Sequence, residues 1–385
     1  MKKSLLITME FPPQMGGVAT YYYNICKNLP TDKIIVLAPE YPDSQNFDKK
    51  QNFTIIRSHI INRLINSKKI FAKINQLKLL KLITNLTKSH DIEMLQVGNI
   101  LPLGTLAWLN KKITKTPYLT YTHGLDILLP QKIARKTILL KKIIKESAHL
   151  IANSYFTSDE LIKIGAGKEL ITVVYPCSNI SSNKLSHHDT DEIGQLKQHY
   201  NLKNNKVIIT VGRLIKRKGH DLVIQALPNI IKKIPEAVYL IVGDGPEKKR
   251  LEKIARQNSV ASQVKFFGPA NEKDLPALYS LSDIFVMPAR QIGPDVEGFG
   301  IVYLEANLFG KPVIGGRSGG VDEAIIDNVT GILINPDNAD ELAVATIKLL
   351  TDTAYAHRLG IQGMERVLEY FNWEEQAKKI EEILN

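Results

Sequence analysis

The stretch KVIITVGRLIKRKGHDLVIQALPNIIKKIPEAVYLIVG, residues 206–243, contains the pattern that decides the fold class. It opens with the apolar run KVIITVG (206–212) and closes with the apolar run VYLIVG (238–243). A helical segment separates the two runs. Two buried strands joined through a helix are typical of α/β proteins. The stretch therefore predicts a parallel sheet covered by helices.

The same alternation of apolar runs and helical segments extends in both directions along the chain. In the first half it predicts strands at 4–8, 33–38, 53–57, 92–97, 117–122, 149–153 and 171–175. In the second half it predicts further strands at 264–268, 283–288, 312–316 and 331–334. We expect two doubly wound, Rossmann-like domains in tandem, facing each other across a cleft.

A polar segment without apolar periodicity, residues 177–205, separates these two groups of strands. Such a segment is typical of a linker. We therefore expect a first domain over 1–177, a linker over 178–205 and a second domain over 206–369.

The composition is that of a soluble globular protein, with 44% hydrophobic and 23% charged residues in a chain of 385. It excludes wholesale disorder. The two cysteines, Cys26 and Cys177, give neither a disulfide framework nor metal-ligand spacing, which fits a reducing cytoplasm. No stretch approaches the ~20 apolar residues that span a bilayer. We expect a cytosolic or peripheral protein.

The net charge of +11 is unevenly distributed. No acidic residue occurs between Asp48 and Asp91, and a second basic cluster spans 131–145. Within the first of these regions an apolar residue recurs every three or four positions, at Ile70, Ile74, Leu77, Leu80 and Ile83. This spacing predicts an amphipathic basic helix suited to an anionic membrane surface. Its candidate membrane or acceptor contacts are Arg63, Lys68, Lys69 and Lys73.

Two other interpretations of these charges are open. The helix can bury its apolar face in the protein core and expose a solvated basic back. Nucleic acid is a weaker possibility, because the basic stretches carry almost no aromatic side chains for base stacking. We expect no nucleic-acid partner.

Glycine-rich and charged loops follow several predicted strands at their carboxyl ends, where doubly wound sheets bind ligands. PPQMGGVATY (12–21) places Gly16 and Gly17 between a strand and a helix beginning near Val18. Glycines there let backbone N–H groups at the helix start approach an anion. The loop is neither a dinucleotide fingerprint nor a P-loop, and a plain tight turn is the alternative.

VGRLIKRKGHD places Arg213 and Lys218 five residues apart on the loop that leaves a strand. Two cations there can clamp a diphosphate and neutralise the charge of a leaving phosphate. Lys216 and Arg217, which lie between them, could equally be solvated surface residues, as is usual in a basic run.

His123 in YTHGLD lies where a predicted strand ends in a glycine turn. A histidine there can donate a hydrogen bond to a sugar hydroxyl or to a transition state that bears charge. A structural role is the alternative. Asp126, three residues further on, could instead be the N-cap of a helix.

EGFGIVYLEA (297–306) places Glu297 in a glycine loop and Glu305 in an apolar run. Taken alone, Glu297 could be a solvated loop acid and Glu305 a surface acid on an amphipathic helix. A helix starting near Gly300 would put its positive end beside Glu297, with Glu305 about one and a half turns in. The backbone amides from Gly298 through Phe299 to Ile301 would then be free for phosphate or sugar oxygens. A carboxylate accepts two hydrogen bonds from a vicinal diol, so these acids suit sugar and ribose hydroxyls. The triplet Asp189-Thr190-Asp191 resembles a metal-binding motif, but no predicted strand adjoins it and we expect no metal.

Together these motifs resemble the retaining glycosyltransferases of family 4, which have the two-domain GT-B fold. The family's two glutamates match Glu297 and Glu305, and its phosphate-binding cations match Arg213 and Lys218. Its glycine loop matches Gly16 and Gly17, and its sugar-side histidine matches His123. DVEGFGIVYLEA and PPQMGG look most like the phosphatidylinositol-mannoside mannosyltransferases. The segment from about 370 to 385 resembles the family's closing helix, which returns to the first domain.

The resemblance implies an acceptor-side first domain and a second domain that binds the nucleotide sugar. It implies transfer of a hexose, mannose favoured, from a donor such as GDP-mannose to a lipid-linked or glycan acceptor, with retention and without metal. Such enzymes work on lipid acceptors at the membrane face, so the resemblance implies a cytoplasmic protein bound peripherally at the inner face of the membrane. In this interpretation His123, Arg213, Lys218 and Glu297 are the catalytic residues. A nucleotide-sugar epimerase of the same fold is the first alternative, and a non-catalytic basic membrane-binding protein is the second.

Overall fold

The computed structural model describes residues 1–14, 16–66, 69–180 and 190–385. The chain divides into two compact units. The first unit comprises Met1–Pro176 together with Trp373–Asn385, and the second comprises Cys177–Asn372. Each unit contains a parallel sheet with helices packed on it, so the predicted α/β class is confirmed.

Seven parallel strands form the sheet described in the first unit. They are β1 (Ser4–Ile7), β2 (Ile34–Ala38), β3 (Thr54–Arg57), β4 (Met94–Val97), β5 (Tyr118–Thr122), β6 (His149–Ala152) and β7 (Ile171–Val173). Their order in the sheet is β3-β2-β1-β4-β5-β6-β7. The order reverses between β1 and β4, so a ligand crevice is expected outside the carboxyl ends of these two strands.

Helices cover both faces of this sheet. They are α1 (Gly17–Lys27), α2 (Ser44–Asp48), α3 (His59–Asn66), α4 (Lys69–Ser89), α5 (Leu103–Thr114), α6 (Leu125–Leu128), α7 (Ala134–Glu146) and α8 (Tyr155–Lys163). Successive residues of β1 point to opposite faces: Leu5 and Ile7 join a core with α3, α4, α5 and α7, whereas Leu6 joins a core with α1. Both faces are buried, which explains why the strands are continuous apolar runs.

Six parallel strands form the sheet described in the second unit. They are β8 (Lys206–Val211), β9 (Ala237–Val242), β10 (Val264–Gly268), β11 (Ile284–Met287), β12 (Val313–Gly316) and β13 (Gly331–Ile334). Their order is β10-β9-β8-β11-β12-β13, with the reversal between β8 and β11. The loops that leave β8 and β11 therefore meet at the expected ligand crevice.

The helices of the second unit alternate with these strands and continue beyond them. They are α9 (Thr190–His199), α10 (His220–Ile231), α11 (Lys248–Gln257), α12 (Leu275–Leu281), α13 (Ile301–Leu308), α14 (Val321–Ala324), α15 (Ala339–Thr351) and α16 (Thr353–Tyr370). The last helix, α17 (Trp373–Leu384), belongs to the first unit and packs on α1, where the rings of Trp373 and Tyr21 lie 5.7 Å apart.

The segment predicted as a linker, 178–205, contains helix α9, which packs against α12. Leu202 just after it is fully buried, and the Tyr200 ring lies 5.4 Å from the Phe267 ring. These contacts attach the end of the segment to the second unit. Because only a few apolar residues make them, the segment shows no helical periodicity in its sequence.

Only part of the apolar stripe of helix α4 faces the protein core. Its buried residues are Asn75, Leu79, Ile83 and Thr87, which are spaced four residues apart. Of the predicted apolar stripe, Ile83 is buried, Leu80 is partly buried, and Ile74 and Leu77 are exposed. The side chain of Ile70 lies outside the described residues. The contacts of α4 with α3 and α5 determine which face of the helix is buried. Ile74 and Leu77 therefore remain on the surface beside the lysines.

Candidate functional site

In the second unit, the loops after β8 and β11 bring together an ionic cluster. Lys218 Nζ donates a hydrogen bond to Glu297 Oε2 at 2.6 Å, and Arg217 Nη1 donates to the same oxygen. Arg217 Nε also lies 2.9 Å from Asp295 Oδ1. The side chains of Lys218 and Glu297 are each only 11% exposed. Two of the predicted site residues are therefore in direct contact at the sheet reversal.

A glycine explains how these two loops approach each other so closely. Gly219 follows Lys218 with a φ of +76°, and a Cβ at this position would lie 2.2 Å from the carbonyl oxygen of Pro288. The loop after β8 thus packs directly on the start of the loop after β11. This packing lets Lys218 meet Glu297 although they are 79 residues apart in sequence.

The cluster is held in its ionised form. Burial alone would raise the pKa of the Glu297 carboxyl, but the charges and hydrogen bonds of Lys218 and Arg217 outweigh it and hold this pKa below its usual value. Burial lowers the pKa of Lys218, and the attraction of Glu297 opposes that change. An ammonium has three N–H donors. The bond to Glu297 uses one donor and leaves two for anionic oxygens.

Arg217 is the site residue whose role the sequence does not reveal. Its neighbour Lys216 is exposed, as expected of a basic run, whereas Arg217 turns inward to Glu297 and Asp295. The three residues 216–218 form one 3-10 turn. Nothing in the pattern KRK distinguishes the inward from the outward side chains. Only the packing of the turn on the loop after β11 does so.

Arg213 lies at the start of the same loop and is exposed. Within the described part of the chain its side chain makes no ion pair, although its carbonyl oxygen accepts a hydrogen bond from the backbone N–H of Ile215. The structure thus places Arg213 and Lys218 on one loop but gives them different environments. One cation is buried and paired, and the other is open to solvent.

Glu305 lies on α13, and Tyr279 donates a hydrogen bond to its Oε2 at 2.7 Å. Burial raises the pKa of Glu305 to about 7, while the Tyr279 hydrogen bond acts in the opposite direction. The nearby charge of Glu272 adds to the increase, and that of Lys218 reduces it. Glu305 therefore titrates close to neutral pH, in contrast to Glu297.

Helix α13 begins at Ile301 with Gly300 as its N-cap, as the sequence predicts. Gly300 has a φ of +95°, and a Cβ there would lie 2.5 Å from the Tyr303 ring. The start of α13 lies directly after Glu297 and Gly298, so its first N–H groups are available to an anion. Phe299 contributes only its backbone, because its side chain is buried against Phe371 at 5.6 Å.

In the first unit, His123 follows β5 and Gly98 follows β4, next to the sheet reversal. His123 Nε2 lies 2.7 Å from the Tyr22 hydroxyl, which also donates a hydrogen bond to the carbonyl oxygen of Gly98. Burial lowers the pKa of His123 to about 4, so the imidazole is neutral at neutral pH. Asp126 is not the N-cap of α6, which is Gly124. Instead its Oδ1 accepts the backbone N–H of His123 at 2.8 Å.

Gly16 and Gly17 lie at the start of α1, where Gly16 is the N-cap and Gly17 the first helical residue. Both are exposed, and a Cβ at Gly17 would meet no heavy atom within 4 Å. Tyr41 ties this loop to the loop after β2 by a hydrogen bond to Gln14. The helix start is therefore open to a ligand.

The predicted membrane contacts differ in what the structure shows of them. Arg63 on α3 and Lys73 on α4 are exposed. Lys68 lies outside the described residues, as does the side chain of Lys69. Among the described helices, none combines the length and the apolar content that crossing a bilayer requires.

No group of three or more His, Cys, Asp or Glu side chains in the described part of the chain has an arrangement that could hold a metal ion. Asp189 of the triplet Asp189-Thr190-Asp191 lies outside the described residues, as does the side chain of Asp191.

Comparison with known proteins gives consistent matches over nearly the whole chain. The family model for Glycosyltransferase Family 4 matches residues 15–181, and the model for Glycosyl transferases group 1 matches residues 193–366. A GDP-mannose-dependent alpha-(1-6)-phosphatidylinositol monomannoside mannosyltransferase of Mycolicibacterium smegmatis is 28% identical over 99% of this chain and 98% of its own. The mannosyltransferase of the same name from Mycobacterium tuberculosis is 29% identical over 100% of this chain and 98% of its own. Anabaena HepE, solved with UDP and glucose, has a TM-score of 0.81 at 22% identity over 100% of this chain and 99% of its own.

Proposed function

This chain belongs to glycosyltransferase family 4, with the GT-B fold and hexosyltransferase activity, and we propose that it transfers mannose from GDP-mannose to a lipid-linked acceptor with retention of configuration. Relatives aligned over 98% of their own length, named GDP-mannose-dependent mannosyltransferases of a phosphatidylinositol monomannoside, support this donor and acceptor.

One observation carries the proposal: the buried Lys218–Glu297 pair at the reversal between β8 and β11, where the loops also carry Arg213 and the start of α13. The two remaining N–H donors of Lys218, the exposed Arg213 and the amides of Gly298 to Ile301 provide positive charge for the diphosphate. Glu297 then accepts hydrogen bonds from hexose hydroxyls, and Glu305 accepts those of the ribose diol.

The proposed reaction needs no nucleophile from the protein. The bond between the anomeric carbon and the diphosphate breaks while the acceptor oxygen bonds to the same face of that carbon. An oxygen of the departing diphosphate takes the acceptor's proton, so the products are GDP and the mannosylated acceptor. Lys218 and Arg213 stabilise the leaving charge in place of a metal ion. His123, neutral at neutral pH, supports the positive charge that develops on the sugar.

The pKa of Glu305 makes donor binding depend on pH. Because the ionised carboxylate is the better acceptor for a ribose diol, affinity for GDP-mannose should rise about tenfold from pH 6 to pH 8 as a group with a pKa of about 7 loses its proton. Calorimetric titration in EDTA measures this, since the diphosphate of a nucleotide sugar does not titrate in this range.

Glu305→Gln is the matched control, and its affinity should be lower and flat over the same range. A pH dependence retained in Glu305→Gln would contradict the role given to Glu305. UDP-glucose titrated in parallel tests the base and sugar. If UDP-glucose binds and GDP-mannose does not, the transferase assignment stands and the mannose proposal fails.

A basic surface of the first unit supports a membrane-bound acceptor. Exposed Leu77 on α4 lies one helical turn from exposed Lys73 and from exposed Lys81. Helix α5 packs against both α4 and α7, so the basic clusters of α4 and α7 cover the same side of the sheet. On and just before α7 the exposed cations are Lys132, Arg135, Lys136, Lys141, Lys142 and Lys145.

Apolar side chains lie among these cations, with Ile138 70% and Leu77 67% exposed. Apolar groups within a cationic face are suited to the boundary between headgroups and acyl chains of an anionic membrane. We expect the protein to bind vesicles that contain anionic lipid and to dissociate as salt is added.

Replacement of Lys73, Lys78 and Lys81 by glutamine should weaken vesicle binding on the order of 100-fold, since each lysine near an anionic surface contributes about 1 kcal/mol. Flotation with phosphatidylglycerol vesicles at low and high salt measures this. The control replaces the exposed Lys232, Lys233 and Lys249 of the second unit with glutamine, which changes the net charge equally. Equal loss in both variants would show that only bulk charge matters and would contradict a membrane-binding surface on α4.

A further inference from the structure

The hydroxyl of Tyr22 contacts two groups that the proposed function does not itself connect. It donates a hydrogen bond to the carbonyl oxygen of Gly98 and lies 2.7 Å from His123 Nε2. A carbonyl oxygen can only accept a hydrogen bond, and a tyrosine hydroxyl has a single proton. The proton of Tyr22 is therefore committed to Gly98. The contact with His123 is a hydrogen bond only if Nε2 carries a proton and donates it.

We propose that Tyr22 is a positioning residue that fixes the tautomer of His123, with the proton on Nε2 and with Nδ1 as the unprotonated nitrogen. The consequence rests on the proposed function: toward the donor sugar, the His123 ring acts as an acceptor of a hydroxyl hydrogen bond and not as a donor. This replaces the expectation from sequence that His123 donates to the sugar.

The protonation states of both side chains agree with this arrangement. Burial raises the pKa of Tyr22 well above its usual value, so the hydroxyl keeps its proton. Burial also lowers the pKa of His123 to about 4, so the ring does not carry a proton on both nitrogens at neutral pH. An unprotonated Nδ1 presents a lone pair, which suits a sugar that becomes positively charged.

Aromatic rings pack closely around the His123 ring. The Tyr21 ring lies edge-on to His123 at 5.3 Å and the Tyr22 ring at 5.6 Å. A Cβ on Gly98 would lie 3.0 Å from the Tyr22 ring and from Thr8, so this position leaves little room for a side chain. Tyr22, Gly98 and His123 come from α1 and from the loops after β4 and β5, which surround the reversal of the sheet.

The experiment is ¹⁵N NMR of the full chain labelled at its histidine ring nitrogens, with His123 assigned from the spectrum of His123→Gln. The chain has nine histidines, so this assignment is practical. Between pH 6 and pH 8 we expect the signature of a neutral ring with the proton on Nε2. In Tyr22→Phe we expect a mixture of tautomers. A proton on Nδ1 in the wild type, or an unchanged tautomer in Tyr22→Phe, would overturn the proposal.

Tyr21→Phe is the matched control. Tyr21 is as deeply buried, donates a hydrogen bond to the carbonyl oxygen of Val174 at 3.0 Å and lies edge-on to the His123 ring. A purely structural role for Tyr22 predicts the same result in both variants. We expect the tautomer to change in Tyr22→Phe alone, with kcat reduced roughly two- to tenfold, the effect of one hydrogen bond. Because NMR needs no substrate, failure of the proposed reaction and failure of this proposal are distinguishable.

Discussion

Lys218→Ala is expected to reduce kcat/KM for the nucleotide sugar about 100- to 1000-fold, the usual cost of removing one donor that stabilises a developing charge. The Lys218 ammonium is buried, fixed by Glu297 and has two further N–H donors. In the proposed function these would meet the diphosphate, and a buried charge would stabilise a leaving phosphate more strongly than a solvated cation would. Steady-state release of nucleoside diphosphate measures the effect.

Lys216→Ala is the control for Lys218→Ala, since Lys216 lies on the same 3-10 turn but is exposed. We expect its kcat/KM to stay within twofold of the wild type. If Lys218→Ala also retained activity within a few-fold while remaining folded, the diphosphate role of Lys218 would be wrong. Equal losses in both variants would indicate a general effect of net charge.

The second large effect is on stability. Glu297→Ala should lower the free energy of unfolding by about 3 kcal/mol, because it leaves Lys218 buried without its counter-charge and removes one partner of Arg217. The unpaired ammonium is then expected to titrate at a lower pKa. Thermal and denaturant unfolding of the second unit, monitored separately from the first, measure the change.

Asp295→Ala is the matched control for Glu297→Ala. Asp295 pairs with the same guanidinium, but its side chain is 39% exposed, so its loss should cost less than about 1 kcal/mol. The pH dependence gives a second check. The pKa of Glu297 is held below its ordinary 4.5, so its stabilisation is present above pH 4.5 and is lost as pH falls through the lower folded value. A destabilisation of Glu297→Ala that persisted in full at acid pH would contradict an ionic origin.

The strands could be predicted from the sequence because both faces of each sheet are buried. Runs such as Ser4–Ile7 and Ala237–Val242 are buried throughout, so the local sequence carries the whole signal. The start of α13 was predictable in the same way, because Gly300 and the apolar residues after it mark a helix boundary without any knowledge of tertiary contacts.

Features set by packing between distant segments could not be predicted. Arg217 turns inward because it pairs with Glu297 and Asp295 in the loop after β11. Glu297 lies 80 residues after Arg217 in the sequence. Tyr22 is one of three consecutive tyrosines, and only the fold brings its hydroxyl to Gly98 and His123. The buried face of α4 is similarly chosen by its contacts with α3 and α5.

The most direct test of hexosyl transfer follows the fate of the donor. Purified protein is incubated in EDTA with GDP-mannose, with or without an extract of membrane lipids, and the nucleotide, the sugar and the lipid products are analysed by mass spectrometry and NMR. We expect GDP release that requires the lipid extract, a mannosylated lipid with the anomeric configuration of the donor, and loss of both in Lys218→Ala. Conversion of the donor sugar without any lipid, as an epimerase would give, or no consumption of GDP-mannose in the presence of the lipid extract, would contradict transfer of mannose to a lipid.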